Sequence, residues 1–406
     1  MKSNTLNFLL IMIFISVGCT KKEKELKPKK EIKPYLEFLK NEHTSAKDYI
    51  INLFEQNDLV ILCERDHREN TQYDFLKELM SDPRFIKNVG NVFTEIGMTN
   101  LNPGLNNFIH SENYSEEQIH KKLIEFQRKA GYYPLWGSFN FYSLNKQLYN
   151  TNQSLFSEEK INIYPSNIAL KLDSLDTEYY KSIWNSVIYH RDSLMANSII
   201  ENFEKIKKSG SSRKKALIIM NFRHAFNKNF EMENGNIVEN VGGFLFKKYS
   251  GKIANVLINQ FEFTDAETEQ EITYKSAQDG KWDAAFEVLN IDNSGFDFKT
   301  SPFGEDNFDL WPFHSHNYKY KDIFTDFVYY KKPMDFKLIT GINGLIDSTF
   351  IKTYKKRVLL WKEITNNRVD YPLVDSLIIE EYEQKKEFQI ERIDSVSAQI
   401  NKWIEK

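Results

Sequence analysis

The sequence predicts an α/β fold: a central, mostly parallel sheet flanked by helices, followed by a helical C-terminal extension. Three observations carry this expectation. Short apolar runs alternate with longer amphipathic stretches, the order of a parallel sheet with crossover helices. The runs are apolar throughout, as strands buried on both faces are. Two of them, "LVILC" and "ALIIM", break into charged or polar residues at their carboxyl ends.

Taken in order, "DLVILCE" (58–64) reads as a buried strand and "TQYDFLKELMSD" (71–82) as a helix with Tyr73, Phe75, Leu76 and Leu79 near one side. "NVGNVFTEIG" holds a second strand ending at Glu95. "SEEQIHKKLIEFQRKAG" (115–131) opens on a capping box of Ser115 and Gln118, with Ile119, Leu123 and Phe126 at helical spacing. "INIYPSN" (161–167) is a third strand. "YHRDSLMANSIIENFEKIKKSG" (189–210) is a long helix closed by lysines and Gly210. A strand over 216–220, a short helix in "GGFLFKKYSG" and a strand in "KIANVLINQF" follow. Later come a short helix in "DGKWDAAFEVLN", strands in "FDFK" and "DIFTDFVYYKK", and an aromatic loop over 301–320. The tail from about 368 to 405 reads as one long charged helix. Its Leu377, Ile378, Phe388, Ile390, Ile393, Val396 and Ile400 could face the domain or a second chain. The expected organisation is therefore 1–19, 20–45, a main domain over 46–340 and an extension over 341–406.

The first of these segments sets the compartment. Lys2 precedes "LNFLLIMIFISVG", an apolar stretch too short for a stable membrane span. It ends in "SVGC", which resembles the lipobox of bacterial lipoproteins. That resemblance implies a signal peptide over 1–19 and a lipid on Cys19, with the membrane as partner. Thr20, in place of Asp, implies outer-membrane sorting in a Gram-negative cell. "KKEKELKPKKEIKP" has seven Lys, three Glu and two Pro and reads as a solvated tether. Once Cys19 is lipidated, Cys63 is the one thiol left, which excludes a disulfide scaffold. Cys63 closes an apolar run and reads as a small core residue. A net charge of −3 without a long basic face argues against nucleic acid as partner. Aromatics make up 14% of the chain, enough for a large core and an aromatic-lined cleft.

Four chemically able groups fall at predicted strand ends. Glu64 and His67 follow the first strand, Glu95 ends the second, and His224 follows the strand at 216–220. Parallel strands would bring all four to one sheet edge, where open α/β sheets bind ligands. A histidine can take a proton from water, a carboxylate can orient it, and an arginine or second histidine can stabilise an oxyanion. No "GxSxG" elbow and no nucleophilic Cys is present, so water is the expected nucleophile. The same two Glu and two His could instead hold a divalent metal, although "HExxH" is absent.

The blocks "CERDHRENTQYDFLKELM", "VFTEIG", "RDSLMANSIIENF" and "ALIIMNFRHAF", in that order, resemble the erythromycin esterase-like family. The wider group includes haem-binding ChaN-like lipoproteins and Tiki/TraB-type proteins. The likeness spans roughly 58–260, about half the chain. It implies that Glu64 and His67 are the first-motif pair, Glu95 the second acid, Arg191 the head of the helix motif with Met195, Ala196 and Asn197 behind it, and His224 the second histidine. It also implies His67 as general base on a water. The family's flanking glycines are Cys63 and Arg68 here, which narrows the backbone's approach to a ligand.

Each residue also has a plainer reading. Glu64 and His67 could be a charged loop with a capping role; Asp66 can pair with Arg65 or Arg68. Glu95 follows apolar Val92 and Phe93, and a carboxylate at that depth needs a partner. Arg191 could simply pair with Asp192, and His224 could be structurally satisfied. His190 matches no motif position. His314 and His316, with Trp311 and Phe313, suggest a cofactor, but an aromatic loop packed over the domain explains them more simply. The expected function is a lipid-anchored hydrolase acting on an ester or related bond of a small molecule or cell-envelope substrate, without a cofactor. The alternatives are a metal-dependent hydrolase on the same residues, a binding lipoprotein for haem or another ligand, and a scaffold dimerising through the C-terminal helix.

Overall fold

The computed structural model describes residues 26–131, 133–136, 139–172, 176–231, 237–263, 273–310, 317–365, 371–390 and 393–405. Cys19 and its signal segment lie outside them, as do Trp311, Phe313, His314 and His316. The chain is α/β, as expected. Its central sheet has seven strands: β1 (Leu59–Glu64), β2 (Asn91–Met98), β3 (Asn162–Asn167), β4 (Ala216–Asn221), β5 (Ile253–Ile258), β6 (Asn293–Asp297) and β7 (Asp326–Tyr330). Their spatial order is β6-β7-β5-β1-β4-β2-β3. All neighbours are parallel except β6 and β7.

Alternation along the strands splits the core in two. Val60 and Leu62 of β1 join Leu217, Ile219 and Val256 on one face. Leu59, Ile61 and Cys63 join Ile218, Met220 and Leu257 on the other. Helices Ala46–Gln56, Thr71–Met80 and Phe139–Gln153 cover the first face; Arg191–Lys208, Val241–Lys248 and Lys281–Val288 cover the second. Burial on both sides explains why β1 is apolar from Leu59 to Cys63. Cys63 is a core residue, and burial pushes its thiol pKa up, so it stays protonated. The Ser115–Gln118 capping box forms.

Four expectations need correction. The segment over 26–45 is not a free tether. Lys27–Pro28 pairs with Ile404–Glu405, and Lys33–Leu39 is a helix whose Tyr35, Leu36 and Leu39 pack into the second face of the core. Those three residues supply the apolar burial that a solvated linker lacks. The tail is not one helix either. It breaks into a helix Asp375–Tyr382, a strand Lys386–Gln389 and a helix Asp394–Asn401. The strand pairs antiparallel with Lys337–Thr340. A boundary at 340 would cut this ribbon, and Ile378, Ile390 and Val396 are buried in the domain rather than offered to a second chain. Glu95 does not end β2, which continues to Met98 through an irregular register. Arg65, finally, does not pair with Asp66; it is fully buried elsewhere.

Candidate functional site

The site is assembled at the carboxyl edge of the central strands. Glu64 ends β1 level with Asn221 at the end of β4. Glu95 lies in β2, next to the position paired with Ile219. Beyond it the strand bulges between Thr94 and Met98, and Gly97 has φ +101°. A side chain at Gly97 would press its Cβ to 2.9 Å from Pro165 and 3.0 Å from Phe141. Only glycine fits that turn of backbone, and the bulge re-aims Glu95. Arg191 begins the helix Arg191–Lys208, and His224 closes the short turn after β4.

His67 Nδ1 lies 2.8 Å from Glu64 Oε2, and its Nε2 lies 3.6 Å from Glu95 Oε1. The other Glu64 oxygen accepts from the Tyr73 hydroxyl. Glu95 accepts from Arg191 at 2.7 Å and from the Asn221 backbone N–H at 2.9 Å. His224 Nε2 lies 3.5 Å from the same Glu95 oxygen and 3.0 Å from Arg191 Nη1. Its Nδ1 lies 2.7 Å from Asp192 Oδ2. The sequence-predicted set of Glu64, His67, Glu95, Arg191 and His224 therefore converges completely. Both glutamates are 2% exposed.

Electrostatics follow from that burial. Burial opposes charge on His67, but the Glu64 and Glu95 carboxylates outweigh it and hold its pKa well above the usual histidine value. Burial likewise opposes charge on Glu95, but His224, His67 and Arg191 outweigh it and hold its pKa well below the carboxylate range. For Tyr73, burial and the adjacent Glu64 act together and keep the hydroxyl protonated. The two carboxylates therefore favour the protonated form of the His67 imidazole.

Tyr73, Asp192, Asn221 and Arg65 were not singled out by the sequence as members of this network. A charged or polar residue beside an apolar run looks like any other loop residue until its partner is known. Arg65 shows this best. Its guanidinium donates to Asn259 O at 2.6 Å, Glu69 at 2.8 Å, Asn259 Oδ1 at 2.7 Å and Tyr330 O at 2.7 Å, and it stacks 3.8 Å from the Phe336 ring centroid. These contacts lash the His67 loop to the ends of β5 and β7. Glu69 and Leu338 also form a bridge, so the loop runs beside the ribbon. Asn140 adds bonds to the carbonyls of His67 and Glu69. Asp66, by contrast, pairs with Arg68 at the surface, as the sequence suggested. His190 is exposed at the head of the helix, away from this network.

His67, Glu95, Arg191 and His224 open onto a cavity of about 590 Å³. Its lining is rich in aromatic rings: Tyr133 against Trp136, Phe261 against Tyr274, and Tyr371 and Tyr382. Trp136 packs edge-on to His67 at 5.3 Å. Near the rim, Arg223 pairs with Glu262 at 2.5 Å; burial raises the Glu262 pKa to about 7 against the pull of Arg223. A volume of this size suits a ligand of drug-like dimensions.

The side chains do not fit a resident divalent metal as placed. Arg191 puts a positive guanidinium between Glu95 and His224, and both Glu64 oxygens are taken by His67 and Tyr73. Among the described residues, no three His, Cys, Asp or Glu side chains are grouped to hold a metal ion.

No family model matches the chain, and no curated protein does. Solved structures are similar at low identity. A Bacillus cereus protein is 11% identical over 76% of this chain and 95% of its own, with a TM-score of 0.42. A succinoglycan biosynthesis protein is 12% identical over 76% of this chain and 94% of its own, with a TM-score of 0.47. The type III effector HopBA1 is 8% identical over 57% of this chain, with a TM-score of 0.33.

Proposed function

We propose that the protein is a lipid-anchored hydrolase that directs water onto an ester or related bond of a small-molecule or cell-envelope substrate. The observation that supports this most is the floor of the cavity. Two histidines, each backed at Nδ1 by a carboxylate, face one buried glutamate beside an arginine. Such a set can move protons and hold developing negative charge. Cys63 is buried and protonated, which leaves water as the nucleophile. The ordered blocks resembling the erythromycin esterase-like family support the same reading. The membrane partner rests on "SVGC" and Cys19.

The test is turnover of a panel of esters and lactones by the mature chain and by His67→Ala. Loss of turnover with an unchanged fold by circular dichroism is the expected result. Equal rates in both proteins would remove His67 from the chemistry. Absorbance in the haem region of the same preparation tests the binding-lipoprotein alternative. Incorporation of a palmitate analogue in cells, lost in Cys19→Ala, tests the anchor.

A further inference from the structure

We propose that a lysine face, built where the N-terminal segment pairs with the C-terminal strand, docks the folded body onto anionic lipid headgroups. This rests on the lipid-anchor part of the reading above and on none of the cavity chemistry. Lys27–Pro28 pairs antiparallel with Ile404–Glu405, and the Lys29 N–H donates to the Trp403 carbonyl at 3.0 Å. That pairing sets residues 27–33 beside residues 402–405. Lys27, Lys29, Lys30, Lys33 and Lys402 are all exposed. The two stretches hold five lysines against two glutamates, Glu31 and Glu405.

The backbone groups these lysines. Lys27 and Lys29 stand two apart on extended chain, so they share a side. Lys30 and Lys33 stand three apart, in a 3₁₀ turn that runs into the helix Lys33–Leu39, and share a side in the same way. The apolar residues of the segment, Ile32, Tyr35, Leu36 and Leu39, pack into the core and leave the lysines to solvent. Among the described residues, none of the five lysines is held in an ion pair. Lys281, on the helix packed against this segment, is by contrast tied to Asp306 at 2.8 Å.

The length of chain before the face says what covers it. Cys19 lies eight residues before Lys27. A lipid on Cys19 therefore holds the face within about 30 Å of the bilayer even at full extension. Such a tether sets an effective concentration in the millimolar range, so a patch of weak affinity is enough to dock. Lysines this close to a bilayer are drawn to anionic headgroups. The whole chain carries a net charge of −3, so an anionic surface favours this face over the rest and orients the body.

The experiment couples the mature chain at Cys19 to a maleimide-headgroup lipid. Cys63 is buried, which leaves Cys19 to react. One set of vesicles is phosphatidylcholine; the other is an equal mixture of phosphatidylcholine and phosphatidylglycerol. Acetylation of each lysine is followed by mass spectrometry. On the anionic vesicles, Lys29, Lys30, Lys33 and Lys402 should react at least about fivefold more slowly than on the neutral ones. Lys121 and Lys356, exposed on other helices, should not change. Salt at about 1 M should remove the difference, and Lys29→Gln/Lys30→Gln/Lys33→Gln should lose the slowing at Lys402. Equal rates on the two vesicles, equal slowing at Lys121 and Lys356, or slowing at Lys402 that survives the triple substitution overturns the docking. Slowing by soluble polyaspartate but not by anionic vesicles also overturns it, and gives the face to an acidic protein. Because the coupling is chemical, none of these outcomes depends on lipidation in cells, which palmitate incorporation tests separately.

Discussion

The floor of the cavity and its walls are built on different principles. The floor consists of titratable side chains, each with two or more partners, carried by β1, β2, the turns after β1 and β4, and one helix start. The walls consist of aromatic rings: Tyr133 and Trp136, Phe261 and Tyr274, and Tyr371 and Tyr382. The floor fixes what can happen to a bound molecule, because proton transfer needs positions held to a few tenths of an ångström. The walls decide which molecule fits, because apolar contact tolerates more slack. On the proposed reading, the chemistry lies at the sheet edge and the selectivity in these aromatic walls.

Four changes would break or sharpen this contrast. The largest effect is expected at the floor. His67→Ala should cost about 10²- to 10⁴-fold in kcat on any substrate the protein turns over, measured by steady-state kinetics. Next is the clamp beneath the floor. Arg65→Met removes the cationic partner of buried Glu69 and should cost about 3–5 kcal/mol of stability, read by chemical denaturation. A loss of less than 1 kcal/mol would show that the His67 loop is held by other contacts. On the wall, Tyr371→Ala should raise KM about tenfold and leave kcat almost unchanged. A fall in kcat with constant KM would place Tyr371 in the floor instead. Smallest is the rim, where Arg68→Ala breaks an exposed pair with Asp66 and should change stability by less than about 1 kcal/mol.

The floor also has a pH signature. His67 has a raised pKa in the folded chain, so its contribution to stability is complete below the unfolded histidine value near 6.5. That contribution is lost as pH rises through the folded value. Glu95 is the reverse. Its folded pKa is depressed, so its contribution is present above about 4.5 and lost as pH falls through the folded value. Melting temperature followed across pH should therefore fall on the alkaline side in the wild type. The part due to His67 should be missing in His67→Ala.

The sequence by itself determined the sheet and most of the groups that meet at its carboxyl edge. Apolar runs such as Leu59–Cys63 and Ala216–Met220 can be read locally, because a strand buried on both faces has no polar position to hide. Parallel connection then carries every strand-end group to one edge. Glu64, His67, Glu95 and His224 could be placed together without knowing a single contact. Arg191 needed the resemblance as well. Only the tertiary structure decided the rest. Tyr73, Asp192 and Arg65 gain meaning from partners across the fold, such as Asn259 and Tyr330 for Arg65. The tail from about 368 to 405 reads as one helix because its charge and apolar spacing satisfy a helix locally. A ladder with Lys337–Thr340 and burial of Ile390 outweighed that preference.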